Sequence, residues 1–195
     1  MQEYRLHPRP ANPIYREVIA RVLGERTDTT FTTDPRSFLL PGGCLDVAKL
    51  LAEFAGFWRE HSDILTSGAG YNEAAPQLVM MGFLQRIVNG GGSVDREYGM
   101  GRGRIDLLIR KPCTGPDGEK KVQRVAFELK VWRAGRPDPL PSGLQQLDSY
   151  LDRMSLDTGV LAIFDRRPTA PPVSERVTLT TESSPTGRDI TVLRG

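Results

Sequence analysis

Asp106, Glu128 and Lys130 are the residues of this 195-residue chain whose types and spacing suggest chemistry. They lie in two runs, Gly103 to Arg110 and Val125 to Trp132, that alternate between apolar and polar side chains in the manner of half-buried strands. In the second run Val125, Phe127, Leu129 and Val131 fall on one face, and Ala126, Glu128, Lys130 and Trp132 on the other. In the first, Ile105, Leu107 and Ile109 share a face, leaving Arg104, Asp106, Leu108 and Arg110 opposite. The segment Pro112 to Lys121 between them contains Gly115, Pro116, Asp117 and Gly118, a turn signal, so the two runs form a hairpin. Two acids and an amine brought together in a sheet repel and lose hydration unless a cation or substrate compensates them. That combination marks a site.

Other elements must hold these residues in place. Before the hairpin, Pro13 to Leu23 reads as a short amphipathic helix ended by Gly24, and residues 25–35 as a polar loop. A second helix carries Leu45, Val47, Leu50, Leu51, Phe54 and Trp58 and closes near His61. A third has Asn72 as N-cap, Glu73 and Pro76 in its first turn, and an apolar surface nearly all round from Leu78 to Val88. Glu73 there also suits the helix dipole. A strand from Ser93 to Tyr98 precedes the hairpin. After it a Pro/Gly-rich segment (135–143) leads to a helix from Leu144 to Met154, on which Gln146 and Tyr150 stand four apart and face the same way. Thr158 to Phe164 is a near-continuous apolar run, expected as a central strand. Val177–Thr181 and Asp189–Leu193 read as a weak terminal hairpin. The order implies an α/β domain, a central mixed sheet flanked by helices (αβββαβ). Residues 1–40 read as an N-terminal tail and helix left over from an upstream module, and 41–195 as the domain proper.

Composition narrows the function. Net charge is only +2, but from Arg102 to Arg136 ten Lys/Arg face four Asp/Glu, so the rest of the chain is about four negative. Positive charge gathered around paired acids suits a polyanion held near a metal. Arg102, Arg104, Arg133 and Arg136 are candidate phosphate contacts, with plain surface as the alternative. Lys120, Lys121 and Arg124 lie near the turn, where a solvated loop explains them equally well. His7 and His61 have no partner at metal-ligand spacing and read as solvated surface. Two cysteines, Cys44 and Cys113, fit a reducing compartment and no disulfide framework. With no signal peptide and no long uncharged apolar run, the expectation is a soluble cytoplasmic protein without a membrane partner.

The constellation resembles the PD-(D/E)XK nuclease superfamily over residues 70–165. Asp106 matches its strand acid, Glu128-Leu129-Lys130 its (D/E)-x-K motif, Gln146 to Tyr150 the Q-x-x-x-Y helix of its RecB-type branch, and Glu73 the acid supplied by the preceding helix. The stretches 71–76, 83–92, 143–147 and 164–167 are similar to the C-terminal nuclease domain of bacterial AAA-ATPase-like proteins, although this chain has no P-loop. The proline that often precedes the strand acid is replaced by Arg104 and Ile105. The resemblance implies a restriction-endonuclease-like fold and Mg²⁺- or Mn²⁺-dependent phosphodiester hydrolysis, on DNA before RNA. Asp106, Glu128, the Leu129 carbonyl and Glu73 would be the metal ligands. Lys130 would act on the attacking water or the phosphate, Gln146 on the substrate strand or a metal-bound water, and Tyr150 in support. An ATPase module, upstream or separate, is an implied partner. The rival is a non-catalytic nucleic-acid or partner-binding module that keeps the fold.

Overall fold

A computed structural model describes residues 34–66, 75–88, 91–100 and 103–195. The expected first helix, Asn72 and Glu73 lie outside them, as do His7 and Arg102. Among the described residues the elements run α1 (Val47–Thr66), α2 (Ala75–Val88), β1 (Ser93–Met100), β2 (Gly103–Thr114), β3 (Lys120–Trp132), α3 (Leu140–Met154), β4 (Gly159–Asp165), α4 (Val173–Arg176), β5 (Thr178–Ser183) and β6 (Asp189–Arg194). The six strands form one mixed sheet in the order β1-β2-β3-β4-β6-β5. The first three strands make an antiparallel meander, β3, β4 and β6 run parallel, and β5 closes the far edge antiparallel to β6.

Helices cover both faces. On one, α1 and α2 bury Phe54, Trp58 and Phe83 against Phe127 and Phe164 of the sheet. Phe54 meets Phe83 edge-on at 5.2 Å, and Trp58 meets Phe164 at 4.9 Å. Each fully buried side chain of this size stabilises by roughly 1.5–3 kcal/mol. On the other face α3 lays Leu147, Tyr150 and Leu151 on Leu108, Ala126, Leu161, Ile163 and Val192. The apolar run of β4 is buried along its whole length, as a strand with neighbours and helices on both sides must be.

Several boundaries differ from the sequence reading, each for a local reason. Helix α1 continues past His61 to Thr66, because no Gly or Pro interrupts residues 59–66. His61 is half-buried and packs its ring on Phe57 at 5.0 Å, so it is not solvated surface. Helix α3 starts at Leu140, inside the Pro/Gly-rich segment. Asp138 accepts the Leu140 N–H at 2.9 Å, and a proline suits the first turn, whose N–H would lack a partner anyway. Gly143 is there for packing: a Cβ would stand 2.8 Å from a Leu161 methyl. The terminal hairpin is an integral part of the sheet, its β6 paired in parallel with β4 through buried Ile190 and Val192.

The cysteines require a larger correction. Cys44 and Cys113 form a disulfide, with Cα atoms 5.0 Å apart across 69 residues of sequence. Gly42 makes this possible, since its positive φ and missing Cβ let the chain run directly against the Thr114 backbone. Thr114 donates its N–H to the Gly42 carbonyl at 2.8 Å, and Gln123 brackets Leu45 with one bond to each main-chain polar group. A spacing of 69 residues carries no signal of such a contact. The expectation of no disulfide is overturned, and the cysteines no longer argue for a reducing compartment. Among the described residues no helix is long and apolar enough to cross a membrane.

Candidate active site

The hairpin does not stay paired to its end. The β2–β3 ladder runs from Thr114↔Lys120 to Leu107↔Phe127 and stops one residue short of Asp106 and Glu128. There the Asp106 carboxylate takes over from the main chain, its Oδ2 accepting the Leu129 N–H at 2.8 Å. On the other side the β1–β2 ladder pairs Leu107 with Arg96 and Ile105 with Tyr98 but skips Asp106. Alternation slips at the same place. Ile105 packs under α3 together with Leu108, although the two are three apart and strict alternation would separate them. The sequence reading placed Ile105 on one face with Leu107 and Ile109; the local irregularity moves it to the other.

Asp106 therefore sits in a gap where two strands part. It lines a cavity of about 30 Å³ with Gln77, Leu78, Met81, Arg96, Leu107 and Leu129, on the side covered by α2. That is room for a water or two. A strand residue points its N–H and C=O to the same edge, so the Leu129 carbonyl opens toward the same gap.

Glu128 and Lys130 face the opposite helix. The Lys130 ammonium is 2.7 Å from Glu128 Oε1 and donates to Gln146 Oε1 at 2.7 Å. Gln146 Nε2 in turn donates to the Tyr150 hydroxyl at 3.2 Å. The i, i+4 spacing on α3 thus aligns Tyr150, Gln146, Lys130 and Glu128 in one chain of contacts. Glu128 is 1% exposed, and its Oε2 is buried with no hydrogen-bond partner. Burial, with the Asp106 charge adding to it, raises the Glu128 carboxyl from 4.5 to about 7 despite the Lys130 contact.

Four of the expected side chains, Glu128, Lys130, Gln146 and Tyr150, are thus joined on the α3 side, while Asp106 holds the Leu129 backbone and is near enough for its charge to act on Glu128. Glu73 and Arg102 lie outside the described residues, as does the side chain of Arg104, whose backbone pairs with Gly99. Arg133 and Arg136 are exposed in the turn that follows β3. Lys120, Lys121 and Arg124 lie toward the other end of the hairpin, Arg124 about 20 Å and the two lysines about 30 Å or more from Lys130 at the strand rise. Among the described residues no group of three or more His, Cys, Asp or Glu stands ready to hold a metal. Two carboxylates and a carbonyl, all hard oxygen donors, nevertheless fit Mg²⁺ or Mn²⁺, and the unpartnered Glu128 oxygen lacks a cation or donor.

Two clusters escaped the sequence reading. Asp148, on the other side of α3, is buried and accepts from Ser184 Oγ at 2.7 Å, Thr186 Oγ1 at 2.7 Å and Arg188 Nη1 at 2.8 Å. Burial alone would raise its carboxyl, but these bonds outweigh it and hold it below the usual range. Arg167 stacks on Trp132 and pairs with Asp165, whose carboxyl those bonds likewise hold low against its burial. Asp148 stands inside the Gln146–Tyr150 motif and offered no separate signal; its partners are 36–40 residues away. Comparison with known protein families, curated proteins and solved structures finds no match to this chain.

Proposed function

We propose that this chain is a metal-dependent nuclease of PD-(D/E)XK type that hydrolyses phosphodiester bonds, in DNA before RNA. The observation that carries the reading is Glu128, a buried acid at the parting of β2 and β3 with one oxygen unpartnered and Lys130 on the other. A structural acid so deeply buried is saturated with donors; one left short is poised for a ligand. Asp106, Glu128 and the Leu129 carbonyl would hold Mg²⁺ or Mn²⁺, with Glu73 as the further acid of the resemblance. When bound, such a cation activates a water and stabilises the charge of the phosphoryl group.

The protein's own side chains do the positioning. Lys130, held in place by Glu128 and Gln146, has one N–H left to direct at the attacking water or a phosphate oxygen. Tyr150 fixes the Gln146 amide, so that its oxygen faces Lys130. An ATPase supplied by an upstream or separate module is the partner the resemblance suggests. The test is direct: purified protein is incubated with Mg²⁺ or Mn²⁺ and supercoiled, linear or single-stranded DNA. The expected result is cleavage of at least one of them, abolished by EDTA and by Lys130→Ala. Binding of DNA without cleavage of any of the three would point instead to the non-catalytic module.

A further inference from the structure

Strands β3, β4 and β6 end at one edge of the sheet, and the residues gathered there extend the face that carries Glu128 and Lys130. The register pairs Lys130 with Ile163, Ile163 with Arg194, and Trp132 with Asp165. Partners across parallel strands share a face, so Trp132, Asp165 and Arg194 lie on the same side of the sheet as Lys130. Arg167, two residues beyond β4, folds back over this row. Its guanidinium carbon stands 3.4 Å from the centre of the Trp132 ring. Its Nε and Nη2 donate to the two Asp165 oxygens at 2.9 and 2.6 Å. The indole N–H of Trp132 donates to the Arg136 carbonyl at 2.9 Å, which fixes the ring and the Arg133–Arg136 turn together.

This arrangement fixes a cation in direction as well as place. Arg carries five N–H donors in a rigid fork, and the Asp165 bonds use one edge of it, leaving the Nη1 edge. A stacked, pre-oriented guanidinium edge is what bidentate recognition of phosphate needs. At the strand rise, Trp132 lies about 7 Å beyond Lys130, about the separation of neighbouring phosphates along one strand. Arg133, Arg136 and Arg166 stand at the same end of these strands, and Asp165 and Asp138 are bonded to Arg167 and Arg194.

We propose that Arg167, held flat on Trp132 and gripped by Asp165, contacts a backbone phosphate of the nucleic-acid strand whose scissile bond lies at Lys130. Trp132 and Asp165 are its positioning residues. The assignment rests on the nuclease reading and adds to it a defined substrate contact outside the acid and lysine set.

The test measures binding without metal and cleavage with it. Oligonucleotide affinity in EDTA is titrated against NaCl for the parent, Arg167→Gln and Arg167→Lys. Losing one phosphate contact should flatten the slope of log K against log [salt] by about 0.7 for single strands or 0.9 for duplex, and weaken binding about tenfold. With Mg²⁺, Arg167→Gln should raise KM about tenfold with kcat within twofold. Arg167→Lys should restore the slope but only part of the affinity, because the planar fork is gone. A slope and KM equal to the parent's for Arg167→Gln overturn the assignment while leaving the nuclease reading intact. A parent that neither binds nor cuts sinks both. Should Arg167→Gln lose its melting transition, the parent decides through its own emission: Trp58 is buried, so quenching by bound oligonucleotide reads Trp132. Unchanged emission at saturation then counts against the contact.

Discussion

Two buried carboxylates flank helix α3, and they are built in opposite ways. Asp148 accepts from a serine, a threonine and an arginine, and its carboxyl is held low. Glu128 has one lysine, one unpartnered oxygen and a second acid nearby, and is raised to about 7. Both are almost fully buried, so exposure does not separate them. The number of donors does. Asp148 ties the β5–β6 turn to α3 through three donors that converge on its Oδ1. Glu128 is short of donors, and on the proposed reading a cation would make up the shortfall. Strain of this kind persists at functional sites because the surrounding fold enforces it.

The comparison breaks most visibly at Lys130. Lys130→Ala should lower cleavage at least a hundredfold, the scale set by losing one charge-stabilising donor, while melting stays within a few degrees of the parent. A rate equal to the parent's would mean that Lys130 is merely the counter-ion of Glu128. Second in size is Asp148→Ala. Removing one partner of a buried, hydrogen-bonded pair should cost about 3 kcal/mol or more, seen in urea unfolding, with the kcat of the folded protein within twofold of the parent. A large fall in kcat at full folding would make Asp148 part of the site and erase the contrast.

Much of this was legible in the sequence, and the limits have physical causes. The strands and the facing of Gln146 and Tyr150 follow from periods of 2 and 3.6, which are local. Alternation singles out the two acids, since it puts charge on elements that face the core. It also sets Asp106 on a face, but it carries no sign that the ladder ends before Asp106 and that its carboxylate substitutes for a main-chain acceptor. The Cys44–Cys113 bond, the partners of Asp148 and the Arg167 stack on Trp132 all join residues 35 or more apart, and no local pattern reports them. The insertion of β6 beside β4 is the same kind of fact. A hairpin is written in its turn, but its neighbour is chosen by the whole sheet.

The third test uses pH, where the two acids act with opposite sign. Asp148 is depressed below 3.8, so its contribution is present above that value and is lost as pH falls through its folded value. Glu128 is raised from 4.5 to about 7, so between these values the folded protein keeps a proton the unfolded chain has released. Its contribution to stability therefore declines as pH rises across that window. Glu128→Gln removes the penalty. In EDTA at pH 8 the variant should be more stable than the parent by at most about 3 kcal/mol, and near pH 4.5 the advantage should vanish. A variant less stable at pH 8 would mean that the Lys130 contact outweighs burial, and Glu128 would then resemble Asp148.

The smallest effect is the most discriminating. Asp106 combines the two cases, since it repels Glu128 yet accepts a main-chain N–H from Leu129 at 2.8 Å. Asp106→Asn keeps an oxygen able to accept that bond. It gives up the stronger, charge-assisted form of it, a loss of about 1 kcal/mol, and relieves a repulsion on the order of 1–4 kcal/mol. The second term is at least as large as the first, so the metal-free variant should melt at the parent's temperature or a few degrees above it, where 1 kcal/mol corresponds to roughly 2–4 °C. Metal separates the roles. A ligand stabilises the folded state by RT ln(1 + [L]/Kd), so millimolar Mg²⁺ that binds the parent raises its melting temperature. Without the Asp106 charge that rise should largely disappear. Thermal melts of both proteins, with and without Mg²⁺, measure all four terms. A loss of 2 kcal/mol or more in EDTA, with the Mg²⁺ shift intact, would make Asp106 a cap on the parted strands like Asp148 on its turn, leaving Glu128 without its companion ligand.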